Sequence, residues 1–391
     1  MTTVPLKRLA ELRVDRCRNH RDAILSLDLI EGGTGMLLTD PWQVPAEPPE
    51  TGIADVEPGD VLFGKLRPYL AKVVHASRPA YASTELMCLR PRPGIDSRWF
   101  FYRMMARPTV EWSVTTSEGT KMPRTNWERF REFRVTVPPL TRQRAIADYL
   151  DTETARIDAL IAKKVALDVQ LSQKLFSATE AAVVCLLGSS RLVPFKYVVR
   201  EIDERGRHSR AGELLSVSIH HGVVPRSKVT EDEPRRDDLA SYKKCRPGDL
   251  VINRMRAFHG GLGCAQRSGL ISPDYMVLRP AGAIEPRYLH HLCRSPWFVG
   301  QMTSRLRGIG AVDQGNVRTP RINFADLGNV HVPAPPSDLQ QDLVARLDRT
   351  SAAIASTRAS LERQLGLLRE HRQALITAAV TGELDVPARS A

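Results

Sequence analysis

This chain of 391 residues is informative first for what it lacks. It has no run of about 18 apolar residues, so no transmembrane helix is expected. Its first residues, MTTVPLKRLAELR, lack the apolar stretch of a secretion signal. The six cysteines, Cys17, Cys88, Cys185, Cys245, Cys264 and Cys293, are scattered and form no CxxC pair. They read as reduced thiols of a cytoplasmic protein, with no zinc site. There is no HExxH, no GxSxG, and no GxGxxG opening a helix. Aromatic residues make up only 6% of the chain.

Two apparent sites fail on inspection. Gly59 to Lys65 fits GxxxxGK, the start of a phosphate-binding loop. Leu66 stands where that loop needs Ser or Thr for magnesium, and the segment reads as a strand. The histidine pairs His220-His221 and His290-His291 have no carboxylate or Cys partner at ligand spacing. They are expected on the surface or in loops. No Asn/Asp-Pro-Pro-aromatic segment, the usual active-site signature of DNA amino-methyltransferases, is present. Neither catalytic residues nor metal ligands are therefore expected.

Acidic charge is also short, and net charge is +12. Residues 1–137 carry +3 of it and residues 191–334 carry +9, while 138–190 and 335–391 are neutral. The excess therefore lies outside two long stretches with helical pattern, which suggests globular units that meet a polyanion.

The first of those stretches runs from Val137 to Ala182. Pro138 and Pro139 close whatever precedes it. Thr141 is the expected N-cap. Ile146, Leu150, Ile157, Leu160, Ile161, Leu167, Leu171 and Leu175 then recur at spacings of three, four and seven. A single apolar stripe on a rod of roughly 60 Å needs a partner helix. The second stretch supplies it. At a shift of 197, Pro335, Pro336, Gln340, Leu347, Asp348 and Ile354 repeat Pro138, Pro139, Gln143, Leu150, Asp151 and Ile157. Ile354, Leu361, Leu368 and Leu375 continue in heptads.

The repeat extends beyond the rods. At a shift of 189, Pro58-Gly59-Asp60 and VLFGKLR match Pro247-Gly248-Asp249 and LVINRMR. Lys65 and Arg67 thereby fall on Arg254 and Arg256. Met87, Leu89, Arg90 and Pro91 match Met276, Leu278, Arg279 and Pro280. Lys121, Pro123, Arg124 and Asn126 match Arg318, Pro320, Arg321 and Asn323. LLSVSI, DVLFGKL, ELMCLR and DLVINRM predict strands, and PGD a turn before two of them. Ser97–Ala106 and Pro286–Cys293 predict short helices whose aromatics pack in the core. The fold class is α+β: two tandem mixed α/β units and two long helices, related by a pseudo-two-fold internal repeat. The expected divisions are 1–137, 138–190, 191–334 and 335–386.

Matched Arg and Lys in both units have a use on duplex DNA. They neutralise phosphates, and arginine also pairs with both acceptors of guanine. The candidates are Lys65, Arg67, Lys121, Arg124, Arg254, Arg256, Arg318 and Arg321. Base-readers are alternatively sought in loops that differ between the copies, 32–50 and 221–236.

VPPLTRQRAIADYLDTETARIDALIAKK resembles the specificity subunit of type I restriction–modification systems. HRQALITAAVTGELDV resembles that family's C-terminal end, and PGDVLFGKLRPYLAK a segment of its recognition domains. The similarity runs over nearly the whole chain. The second helix departs from the family's acidic-Gln start, reading Ser337-Asp338-Leu339-Gln340. The resemblance implies two target-recognition domains, each on one half of a bipartite site, and long helices paired as an antiparallel coiled coil. It implies as partners double-stranded DNA, two DNA adenine methyltransferase subunits and translocating endonuclease subunits. S-adenosylmethionine, ATP and Mg would be held by those partners, and no cofactor by this chain. The rival reading is a coiled-coil scaffold whose two globular ends bind proteins.

Overall fold

The computed structural model describes residues 2–14, 21–43, 54–205, 213–218, 222–229, 241–305 and 321–386. These residues divide into two compact units. The first comprises Met1–Val165 with Leu361–Ala391, the second Ala166–Ser360. Each long helix, Leu140–Ser189 and Ser337–Thr381, contributes to both.

In the first unit, four antiparallel strands lie in the order Ala10–Arg13, Leu86–Pro91, Val61–Gly64, Val73–His75. Neighbouring residues of a strand point to opposite faces. Val61, Phe63, Met87 and Leu89 accordingly enter one core, and Leu62, Leu86 and Cys88 another. With both faces covered, the strands read as unbroken apolar runs. The helix Ser97–Met105 covers the first face and buries Trp99, Phe100 and Tyr102 there. Ile146, Ala147 and Leu150 of the first long helix join the same core, with Ile376, Ala379 and Val380 of the second.

The second unit repeats this plan. Its four-stranded sheet runs Val199–Ile202, Tyr275–Pro280, Leu250–Asn253, Leu262–Cys264, again antiparallel. Leu250 and Ile252 face a core shared with Ala182, Val183 and Leu186 of the first long helix and Leu343, Val344 and Leu347 of the second. Val251 and Val277 face the other way.

The repeat holds bond for bond. Arg90 forks onto Asp60 at 2.8 and 2.7 Å, and Arg279 onto Asp249 at 2.8 and 3.0 Å. Both carboxylates stand between a Pro-Gly turn and the strand that follows it. Gly59 and Gly248 occupy φ +91° and +89° there, a conformation that suits glycine. Gln143 accepts from the Asp96 N–H at 2.8 Å and donates to the Pro138 carbonyl at 2.9 Å. Gln340 does the same with Glu285 and Pro335, at 2.8 Å each.

Within each unit the two long helices run antiparallel. In the first unit Arg142 reaches Asp385, Arg372 reaches Asp158 and Lys164 reaches Gln364. In the second, Arg358 pairs with Asp168 at 2.8 Å, and Ala182 and Val183 pack near Leu343 and Val344.

Three details differ from the sequence expectation. Thr141 is no N-cap: the Gln143 N–H already bonds the Pro139 carbonyl, so the helix starts at Leu140. Leu160 and Leu167 are 47% and 40% exposed. The inward line from Ile157 steps four and three residues through Ile161, Lys164 and Asp168, which leaves both leucines on its flank. His290 and His291 are not loop residues. They lie half-buried and buried on the helix Pro286–Arg294, and His291 Nε2 bonds Asp348 Oδ1 at 2.7 Å. His220 and His221 lie outside the described residues.

Candidate nucleic-acid interface

The strand Val61–Gly64 ends in a tight turn, and so does its counterpart Leu250–Asn253. Each turn meets the segment that leads into the unit's last strand. In the first unit, Thr125 N–H donates to the Lys65 carbonyl at 3.0 Å and Arg67 N–H to the Pro123 carbonyl at 2.7 Å. In the second, Ile322 N–H donates to the Arg254 carbonyl at 3.2 Å. The structure therefore brings Lys65, Arg67, Lys121 and Arg124 into one locality, and Arg254, Arg256 and Arg321 into the matching one. Arg318 lies outside the described residues.

Side chains sort these candidates into two groups. Lys65 Nζ donates to the Thr84 carbonyl at 2.7 Å, and burial lowers its pKa. Arg254 pairs with Glu201 at 2.8 Å. Arg124 bonds both oxygens of Glu85, at 2.9 and 3.0 Å. Each of these three has a bond within the protein. Arg67, Lys121, Arg256 and Arg321 are exposed, and no ion pair of theirs is seen among the described residues.

Nothing at these turns forms a phosphate-binding loop. Val61–Gly64 is a strand, and the following Pro68–Leu70 is one 3-10 turn, so no α-helix opens there to cradle a phosphate on its backbone N–H groups. No group of His, Cys, Asp and Glu suited to a metal occurs among the described residues, and none of their helices is long and apolar enough to cross a membrane.

Sequence reasoning passed over residues that hold the sites in place. Arg98 reaches Asp148 and Asp151 in the first unit, and Arg287 reaches Asp348 in the second. Tyr102 Oη donates to Asp151 at 2.8 Å where the second unit has His291 on Asp348. The signal was present, because Tyr102 and His291 are 189 apart and Asp151 and Asp348 are 197 apart.

Comparison with known proteins adds the family likeness. Residues 52–167 match the model of the type I restriction modification DNA specificity domain. The type I restriction enzyme EcoBI specificity subunit of Escherichia coli is 22% identical over 86% of this chain and 76% of its own length. This chain is similar to type I specificity subunits. The StySPI specificity subunit of Salmonella potsdam is 30% identical over 29% of this chain, and the EcoDI subunit of Escherichia coli 26% identical over 26%. Those two matches span 23% and 22% of the specificity subunits' own length. The fold agrees. A chain solved for the structural basis of complex assembly and conformational transition of the type I R-M system superposes with a TM-score of 0.65, at 18% identity and 98% coverage of both chains. The HsdS subunit from Thermoanaerobacter tengcongensis gives 0.50 at 18% identity, over 98% of this chain and 97% of that one.

Proposed function

We propose that this chain is the sequence-specific DNA-binding specificity subunit of a type I restriction–modification complex. It recognises a bipartite site, one half with each recognition unit, at residues 1–137 and 191–334. The observation that carries the reading is the duplicated unit. The same sheet, clamps and turn recur in both halves of the chain, and each copy bears exposed arginines on that turn. Two similar modules, each with its own surface, suit a target read in two parts.

The chain selects the site and supplies no methyl-transfer or cleavage residue. Methylation of adenine falls to methyltransferase subunits that bind S-adenosylmethionine. Cleavage falls to translocating subunits that use ATP and Mg. The complex works in the cytoplasm, where the DNA is. The long helices set the spacer between half-sites. The test is methylation of plasmid DNA by the purified chain with S-adenosylmethionine, alone and with the cognate methyltransferase subunit. Methylation at one bipartite sequence only in the mixture supports the reading. Methylation by the chain alone, or none at a defined site in the mixture, refutes it.

A further inference from the structure

We infer that the turns opened by Arg67 and Arg256 are the matched contacts of the two units with the sugar-phosphate backbone of duplex DNA, one arginine to a phosphate in each half-site. This rests on the reading of the chain as a DNA-recognition subunit and says where its sequence-independent grip lies.

The argument starts from position. Arg67 and Arg256 are 189 residues apart and each stands at the head of a 3-10 turn, Pro68–Leu70 in one unit and Ala257–His259 in the other. Both turns are held by backbone bonds. Leu70 N–H donates to Arg67 O at 2.9 Å, and His259 N–H to Arg256 O at 3.0 Å. Arg67 is in the left-handed region at φ 49° and ψ 58°, which non-glycine residues hold only where their surroundings enforce it. Its N–H on the Pro123 carbonyl supplies part of that enforcement. A side chain on a fixed turn loses less freedom on binding than one on a mobile loop.

The next step is contrast within the same segments. Two residues earlier, Lys65 and Arg254 are tied to Thr84 and Glu201. Arg67 and Arg256 are exposed and carry no such tie among the described residues. The repeat thus spends one basic pair on the fold and leaves the next pair facing solvent. An aromatic follows at the matched position in each turn. Tyr69 is 52% exposed, and Phe258 is half-buried beside His259. Each offers apolar surface on which a deoxyribose can pack beside the charged group.

The last step separates phosphate from base. Two units that read different half-sites have no reason to share a base-reading arginine at one structural position. They have every reason to share a phosphate contact, because the phosphate is the same in any sequence.

The experiment measures duplex affinity of the full-length chain against salt concentration, using a DNA carrying its methylated site and a random duplex. Arg67→Ala and Arg256→Ala should each lessen the slope of log K on log salt by about 0.9, and the double variant by about twice that. The loss should be alike on both DNAs. Arg67→Lys should keep the slope. Lys174→Ala, which removes an exposed charge from a long helix, controls for net charge and should leave the slope unchanged. Folding of each variant is checked by its melting curve. If both alanine variants keep the parental slope, or if one loses affinity only for its own site, the phosphate assignment is overturned. If the parental chain binds neither DNA, the function proposed above is what fails.

Discussion

Gln143 is 1% exposed, and it serves the Asp96 N–H and the carbonyls of Gly94 and Pro138. Gln340, also 1% exposed, serves Glu285, Ala283 and Pro335 in the same way. Replacing either by Ala strands buried polar groups, and about 1–3 kcal/mol of stability should be lost for each substitution. Urea unfolding checks this, and a loss at one glutamine without the other would break the equivalence of the two clamps. His291 is where the copies differ. Burial holds its pKa below the ordinary 6.5, the Asp348 bond and charge oppose that shift, and Arg287 and Arg294 add to it. Its neighbour His290 is depressed too. The unfolded chain therefore binds more protons than the folded one just below pH 6.5, and stability contributed by the neutral ring is lost as pH falls through that window. His291→Gln keeps a donor for Asp348 and cannot titrate. Its melting temperature should drop less than the parent's between pH 7.5 and pH 5.5, and an equal drop would discount His291. The repeat of Gln143 as Gln340 was legible in the sequence, but its purpose was not. A glutamine that ties the entry of its own helix to a backbone segment nearly fifty residues or more away leaves no local pattern. The histidine pair misled for a related reason, since adjacent polar residues read as surface until the partner Asp348, 57 residues away, is known.

At the scale of elements, pattern and structure agree where burial is two-sided or periodic. The strand runs DVLFGKL and DLVINRM, the short aromatic helices and both rods were readable because covered sheets make unbroken apolar runs and helices repeat near 3.6 residues. The seam between the rods was read less well. Ile157, Ile354 and Leu361 are each 6% exposed, as expected of seam residues. Between them the inward line holds Lys164, Asp168 and Ser172, which pair with Gln364 and Arg358 of the other helix. Counting apolar residues alone therefore enlisted Leu160 and Leu167, which flank that line. The polar stretch has a physical use, because charged pairs at inward positions fix register where leucines would slide. Leu361→Asp places an unpaired charge on a buried position and should cost about 3–5 kcal/mol. Leu367→Asp, at a position 64% exposed, should cost far less. Thermal melts of the two variants decide it, and equal destabilisation would mean that Leu361 is not in a packed seam.

At the scale of the whole molecule, the duplicated unit predicts, on the proposed function, that recognition is separable. Replacing residues 191–334 by the matching unit of a relative should change one half-site of the methylated sequence and leave the other. Methylome sequencing of a strain carrying the exchanged chain reads this directly, and a change in both half-sites would end the idea of independent units. On the proposed function, spacer length should instead follow the long helices, each of which contributes to both units. The two helices run antiparallel within each unit, so a lengthening must be made in both to keep every flanking contact. Seven residues inserted after Val165 and seven after Ser360 preserve the heptad phase on either side. One heptad adds about 10.5 Å of helix. Duplex DNA rises about 3.4 Å per base pair, so the insertion corresponds to about three base pairs if the added length acts along the DNA. With its methyltransferase subunits, the lengthened chain should direct methylation to sites with both original half-sites and a longer spacer. Sites with the original spacer should lose methylation. An unchanged spacer would show that the helices do not set the interval, and an altered half-site would show that the insertion had disturbed the recognition units themselves.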